Sequence, residues 1–279
     1  MIWRYEVGAI VVHGIRDGAS TRDPLDYLLG STPEELSEFP EYFNADGSMP
    51  NSFSCYLIET ADNLVMVDTG FGVSAPAGLD VGDMPRALEH LGVEPSAVDH
   101  VVFTHLHPDH ILGSLTADDE PFFGEARHWT LKRELDHWRS DVGERAMGIA
   151  TIAGALDEAG VLSAVDEPGS VVDGIETVAA YGHTPGHVTV RVSAESESLV
   201  IAGDATFNPV QIWHPEWAFP LDVDADRAAA TRERFFAELA ERGEAFVAGH
   251  YAQPGIGRVV STVDGLAYER LSVHEIDVP

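Results

Sequence analysis

Residues 105–110 read HLHPDH and follow, after Thr104, the apolar run VDHVVF, residues 98–103. The run has the character of a buried strand, so three imidazoles and a carboxylate stand where a strand ends. Side chains on an extended chain repeat every two residues, which sends His105 and His107 to the same side, where they can hold one metal ion together. Pro108 stiffens the turn and leaves Asp109 and His110 to face a second position. Imidazole suits Zn, Mn, Fe or Co, and a carboxylate beside it admits the harder members of that set. A solvated polar turn is the plain alternative, but four potential ligands in six residues favour metal. A chain with this motif must bring further ligands from distant strands to the same point, and that requirement restricts its fold.

Three later strand ends meet the requirement. YGHTPGH (181–187) supplies His183 and His187, IAGDATF (201–207) supplies Asp204, and FVAGHYA (246–252) supplies His250. Each follows an apolar run and sits beside a glycine that lets backbone approach closely, so one edge of the sheet system is expected to collect them all. Between these points SFSCYLIET (52–60) and NLVMVDTG (63–70) read as paired strands, and MPRALEHLG (84–92) as a helix opened by Pro85 and closed by Gly92. Helices are expected around LKRELDHW and ERAMGIATIAGALDEAG, and strands over 174–181, 187–193, 198–204 and 244–250, with a long helix over 224–242. Strands and helices interleave along the whole length. The expectation is one α/β domain over 1–279, with the acidic, Pro-rich stretch 23–43 as an insert that folds over the site or mediates homodimer contacts.

Composition narrows the partners. Forty-seven Asp plus Glu against 16 Lys plus Arg give a formal net charge of −31, and Lys132 is the only lysine. Such a surface repels phosphate backbones and anionic headgroups, so neither nucleic acid nor a membrane is an expected partner; a small-molecule substrate is. The first residues lack a basic segment followed by a long apolar stretch, and no run approaches 18 apolar residues, which leaves a cytoplasmic protein as the expectation. The single cysteine, Cys55, sits in a strand and reads as a packed thiol.

The motifs THLHPDH, GHTPGH, AGD and AGH, preceded by VMVDTG, resemble in order and spacing the metal-binding motifs of the metallo-β-lactamase superfamily, and the likeness covers nearly the whole chain. The resemblance implies an αβ/βα four-layer sandwich, two mixed β-sheets flanked by helices, with a two-metal site on one edge. Carried over by motif, His105, His107 and His183 hold one ion, Asp109, His110 and His250 hold the other, and Asp204 bridges both. Within HTPGH the ligand corresponds to His183, which leaves His187 a supporting role; Asp68 of VDTG is likewise expected to orient a ligand imidazole. Zinc is the first expectation for the two divalent ions, with Mn, Fe or Co as alternatives.

The C-terminal half resembles most the branch containing methyl parathion hydrolase, lactonases and arylesterases. Acyl-homoserine lactonases of the superfamily commonly carry a tyrosine three residues after the bridging aspartate, where this chain has Phe207. The function implied is a dinuclear hydrolase of small neutral esters, lactones or phosphotriesters, with a metal-bridging hydroxide as nucleophile, Asp204 bridging the two ions and Asp109 as proton shuttle. The alternative is an iron-dependent oxidoreductase of the thiol or persulfide dioxygenase type on the same ligands. Phe71, Trp138, Trp213, Trp217 and Phe219 are the aromatic candidates for the substrate pocket.

Overall fold

The structure is a computed structural model and describes residues 1–74, 78–140 and 143–276. In chain order the strands of the first half are β1 (Ile2–Val7), β2 (Ile10–Arg22), β3 (Met49–Glu59), β4 (Leu64–Val67), β5 (His100–Val102), β6 (Arg127–Leu131) and β7 (Leu162–Val165). Those of the second half are β8 (Ser170–Val172), β9 (Ile175–Ala179), β10 (Val188–Ala194), β11 (Glu197–Ile201), β12 (Ala245–Val247), β13 (Ile256–Thr262), β14 (Gly265–Arg270) and β15 (His274–Ile276). The last of them returns to the edge of the first sheet, which runs β15-β1-β2-β3-β4-β5-β6-β7 and packs against a second sheet, β14-β13-β12-β11-β10-β9-β8. Both sheets are mixed: β4 to β7 pair in parallel, as do β11 and β12, while the remaining pairs are antiparallel.

Period-two alternation sorts the side chains between the layers. Tyr56 and Ile58 of β3 face Val190, Val192, Ile201 and Val247 across the sheet interface. Cys55 and Leu57 point the other way, into a core shared with α3 (Met84–Leu91), α5 (Lys132–Ser140) and α6 (Glu144–Glu158). On the far side Val200 and Phe246 pack under Phe236 and Leu239 of α7 (Ala225–Arg242). Helix, sheet, sheet, helix is the four-layer order expected. Short helices α1 (Pro24–Tyr27) and α2 (Pro33–Leu36) lie in the 23–43 insert, and α4 (Pro108–Ile111) lies in the HLHPDH segment. No helix of the described residues is long and apolar enough to cross a membrane.

The insert packs on the molecule through Leu28 and Leu36, which bury with Met49, Val210 and Trp217. Trp213 lies against Phe39 and Tyr42 of the same insert, and Trp217 stacks on His214. These two tryptophans, expected in the pocket, instead form the seat of the insert.

Of the buried histidines away from the metal motifs, His128 is the more deeply enclosed. His128 of β6 is fully buried; its Nδ1 donates to the Ala126 carbonyl at 3.1 Å and its Nε2 has no partner. Burial pushes its pKa down to about 4 from 6.5, so the folded chain keeps it neutral while the unfolded chain protonates it. Stability is therefore lost as pH falls from about 6.5 toward 4, by up to about 3 kcal/mol from this residue. His128→Phe removes the proton acceptor, and melting temperatures of the two proteins across that range are expected to show a shallower acid limb for the variant. Parallel acid limbs would refute the assignment.

Candidate metal centre

The parallel pairs β4–β5 and β11–β12 end on the same edge of the sandwich, and their ends carry the ligand-type residues. After β5 the chain stays extended through His107 and then turns into α4 at Pro108, which lifts Asp109 and His110 away from His105 and His107. His183 comes from the β9–β10 turn, Asp204 from a short helical turn after β11, and His250 from the loop after β12.

These residues form two groups, His105, His107, His183 and Asp204 in one and Asp109, His110 and His250 in the other, and within each the donor atoms lie within 4.8 Å of one another. Asp204 faces both. Its Oδ2 lies 3.2 Å from His183 Nε2 and 3.7 Å from His105 Nε2, while its Oδ1 lies 3.2 Å from Nε2 of both His110 and His250. Asp109 Oδ2 approaches His250 Nε2 at 3.5 Å and His110 Nε2 at 3.7 Å.

The donor set fits cations at these points. His107 Nδ1 lies 2.9 Å from both His105 Nε2 and His183 Nε2, and one ring N–H can be aimed at only one neighbour. Buried His110 Nε2 and Asp204 Oδ1 meet at 3.2 Å without completing a hydrogen bond. Atoms left in that state inside a protein are costly unless a further partner satisfies them.

The outer nitrogens are occupied, which fixes the tautomers so that the inner ones face the cluster. His183 Nδ1 donates to Asp222 Oδ1 at 2.8 Å, His250 Nδ1 to the Ser52 carbonyl at 2.8 Å, and His110 Nδ1 to Asp68 Oδ2 at 2.7 Å. Asp68 adopts φ +56°, tolerable for an aspartate, and also accepts from Thr104 N and Oγ1. His187 differs: its Nε2 accepts the Asp204 N–H at 2.9 Å and its Nδ1 donates to the Ala180 carbonyl, so both nitrogens are spent on backbone. Gly203, at φ +52°, makes this contact possible, because a Cβ there would come within 2.7 Å of His187 Nε2.

Charge follows geometry. Burial and the neighbouring imidazole of His110 hold His105 well below the usual histidine range, and burial with the repulsion of His183 pushes His187 down to about 3. Burial opposes the protons of His110, His183 and His250, yet Asp204 overcomes it, helped by Asp68 at His110, Asp222 at His183 and Asp109 at His250. Their pKa values rise, that of His183 to about 9. Burial likewise opposes the charge of Asp204, but His250, His110 and His105 draw its pKa well below the carboxylate range. The cluster is an anionic hole that calls for positive charge.

Three charged residues around the cluster escaped the sequence reading: Asp222, whose side chain is closed off from solvent, Arg232, on α7 behind the loop after Asp204, and Glu134 of α5. Glu134 accepts from Leu106 N, Gly186 N and Trp138 Nε1, which ties the HLHPDH and HTPGH segments to one carboxylate. Over the cluster lies an aromatic wall. Phe207 stacks on Phe219 at 3.8 Å and on His250 at 5.2 Å, and Phe53 joins Phe71 to His250. Trp138 backs His107 at 5.2 Å.

Residues 50–250 match the family described as the metallo-beta-lactamase superfamily. A probable metallo-hydrolase of Mycobacterium tuberculosis is 31% identical over 211 residues, 65% of this chain and 67% of that protein. An N-acyl homoserine lactonase of a Bacillus species is 22% identical over 187 residues, 61% of this chain and 65% of that protein. Among solved structures, AidC, a dizinc quorum-quenching lactonase in complex with a product, superposes with a TM-score of 0.88 over 97% of each chain at 23% identity. The hydrolase AbOPH does so with a TM-score of 0.85 over 99% of this chain and 98% of that one, at 24% identity. With its two face-to-face mixed sheets, its ligand-type residues gathered on one edge and a family match across most of its length, the chain belongs to the metallo-beta-lactamase superfamily.

Proposed function

We propose that this protein is a dinuclear metal-dependent hydrolase of small neutral substrates, aryl esters and lactones first and phosphotriesters second. The observation that carries the reading is Asp204, whose two oxygens face two separate groups of imidazoles beneath a wall of phenyl rings. In this reading His105, His107 and His183 hold one ion, Asp109, His110 and His250 the other, and Asp204 both; zinc is the first candidate, with Mn, Fe or Co as alternatives. Two such ions, when bound, lower the pKa of a shared water and polarise the substrate oxygen.

The protein's own residues do the rest. Asp222, Ser52 and Asp68 hold three imidazoles in the tautomer that presents Nε2. Phe207 and Phe219, both buried, keep the cluster dry on one side and offer an apolar face to an acyl or aryl group. Asp109 is the member of the cluster whose side chain stays partly open, at 19% exposure, and in this reading it passes a proton to the departing oxygen. The probable metallo-hydrolase among its relatives supports metal-dependent hydrolysis, and the lactonases support lactones as one substrate class.

A net charge of −31 adds a selection against anions. The metal-replete protein, offered an aryl acetate, a γ- and a δ-lactone, a phosphotriester, a phosphodiester and a β-lactam, is expected to turn over the acetate and lactones fastest and the phosphodiester least. Fastest turnover of the phosphodiester would overturn the charge argument, and silence across all six would overturn the hydrolase reading.

A further inference from the structure

Arg232 is one of the largest side chains buried completely in the molecule. It lies on the inward stripe of α7, in step with Ala228, Phe236 and Leu239, where helical spacing calls for an apolar residue. A guanidinium in that position is costly unless every donor is used on something that needs it. Its donors go to backbone: Nε to the Ala205 carbonyl at 2.9 Å, and one terminal nitrogen to the carbonyls of Pro215 at 2.7 Å and Trp217 at 3.2 Å. The other terminal nitrogen makes no hydrogen bond and is compensated by charge alone, 3.6 Å from Asp222 Oδ2.

All these partners belong to one segment, residues 205–222, which leaves the cluster at Asp204 and returns to it at Asp222. Apart from a bridge between Ala218 and Leu29 the segment carries no β-pairing among the described residues, so its buried carbonyls need donors from side chains; Gln211 Nε2 serves that of Trp217 at 2.7 Å, and the planar fork of arginine supplies several donors from one side chain. Near its two ends stand Phe207 and Phe219, stacked on each other at 3.8 Å and 14°. Phe207 also lies on His250 and 5.4 Å from His183, and the Phe219 N–H donates to the same Asp222 oxygen that faces Arg232.

We propose that Arg232 is a positioning residue for substrate selection: by gathering the carbonyls of 205–217, it fixes the Phe207–Phe219 pair over the metal cluster and so determines how well the site receives substrates with a flat apolar group. A side chain that only stabilised the core would affect all substrates alike. One that places the wall affects the binding of aryl substrates more than that of compact ones, because a flat aryl group draws its binding energy from packing on aromatic faces.

The proposal rests on the hydrolase reading above, and the experiment separates the two. Arg232→Lys and Arg232→Gln are compared with the parent protein by hydrogen exchange, by metal content, and by kcat and KM on phenyl acetate and an unsubstituted γ-lactone. Exchange is expected to accelerate about tenfold or more within 205–219 and little elsewhere, with metal content unchanged. KM for phenyl acetate is expected to rise about tenfold in Arg232→Gln and less in Arg232→Lys, with kcat and the lactone changing far less. In a Phe219→Ala background the effect of Arg232→Lys on KM should vanish, since the wall it acts through is already broken. Unchanged exchange in 205–219, equal losses on both substrates, or an effect that persists without Phe219 would each overturn the proposal. If the protein hydrolyses neither substrate, the hydrolase reading fails, and the exchange result alone decides whether Arg232 holds the wall.

Discussion

Asp204→Ala is expected to lower hydrolysis of the best substrate by about a thousandfold or more while leaving the fold intact. The carboxylate is the one side chain within 3.2 Å of imidazoles from both groups, so its loss removes an anion from each half of the cluster at once. Metal-ion catalysis supplies several kcal/mol of transition-state stabilisation, and about 4 kcal/mol corresponds to a thousandfold in rate. The carboxylate contributes to stability through its paired imidazoles, but the backbone path survives its loss, because the Asp204 N–H is anchored on His187. His187→Ala should accordingly be milder, about 10- to 100-fold, as befits a residue that holds Asp204 in place through its backbone. Rates on the replete proteins, with elemental analysis and far-UV circular dichroism, check both. Asp204→Ala with two ions still bound and activity within about tenfold of the parent would defeat the bridging role.

Why the cluster could be found in the sequence while its supports could not is a matter of range. His105, His107, Asp109 and His110 announce themselves because four ligand-type residues share six positions, and His183, Asp204 and His250 each follow an apolar run beside a glycine. The signal is local in every case. The β1–β2 hairpin was less visible, because β2 runs on through Gly14, Asp17 and Gly18, residues that ordinarily break strands. Packing explains the first: a Cβ on Gly14 would fall within 2.0 Å of the Trp3 ring. Asp17 sits where the register shifts between Arg16 and Gly18, and its buried carboxylate accepts the N–H groups of Phe71, Gly82 and Met84 from another part of the chain. Its partners are too distant in sequence to be read.

Asp222 and Arg232 were hidden for a different reason. Asp222 stands two residues before Asp224, which caps α7 by accepting the Arg227 N–H, so it passes for part of an acidic helix start. Arg232 looks like one more charge on an exposed helix, and only its phase with Ala228, Phe236 and Leu239 marks it as inward-facing. The tryptophans misled in the opposite direction: Trp213 and Trp217 follow the metal motif closely in sequence, but the wall is made by Phe207 and Phe219, while the insert claims the indoles.

Chelation is expected to lower the melting temperature by about 10 °C or more, and zinc titrated back should restore it as about two ions per chain bind. The estimate follows from mass action, since a ligand present at about a thousand times its dissociation constant stabilises by about 4 kcal/mol per site. The effect should also depend on pH with a definite sign. Without metal, His110, His183 and His250 have raised pKa values, that of His183 about 9 against 6.5, so they carry protons that pair with Asp204. For His183 that pairing stabilises the metal-free fold fully below pH 6.5 and is lost as pH rises through about 9, and His110 and His250 act in the same direction. Metal requires the same imidazoles neutral and displaces their protons, so the stabilisation gained on adding zinc should grow as pH rises across that window. His250→Ala, which removes a donor from one group only, should cut the stoichiometry to about one ion and keep the part of the gain that belongs to His105, His107 and His183. Melting curves with and without chelator at several pH values, with elemental analysis of each protein, measure all three. One ion per chain in the replete parent, or a gain that shrinks as pH rises, would leave Asp204 serving a single metal and remove the basis for a two-ion centre.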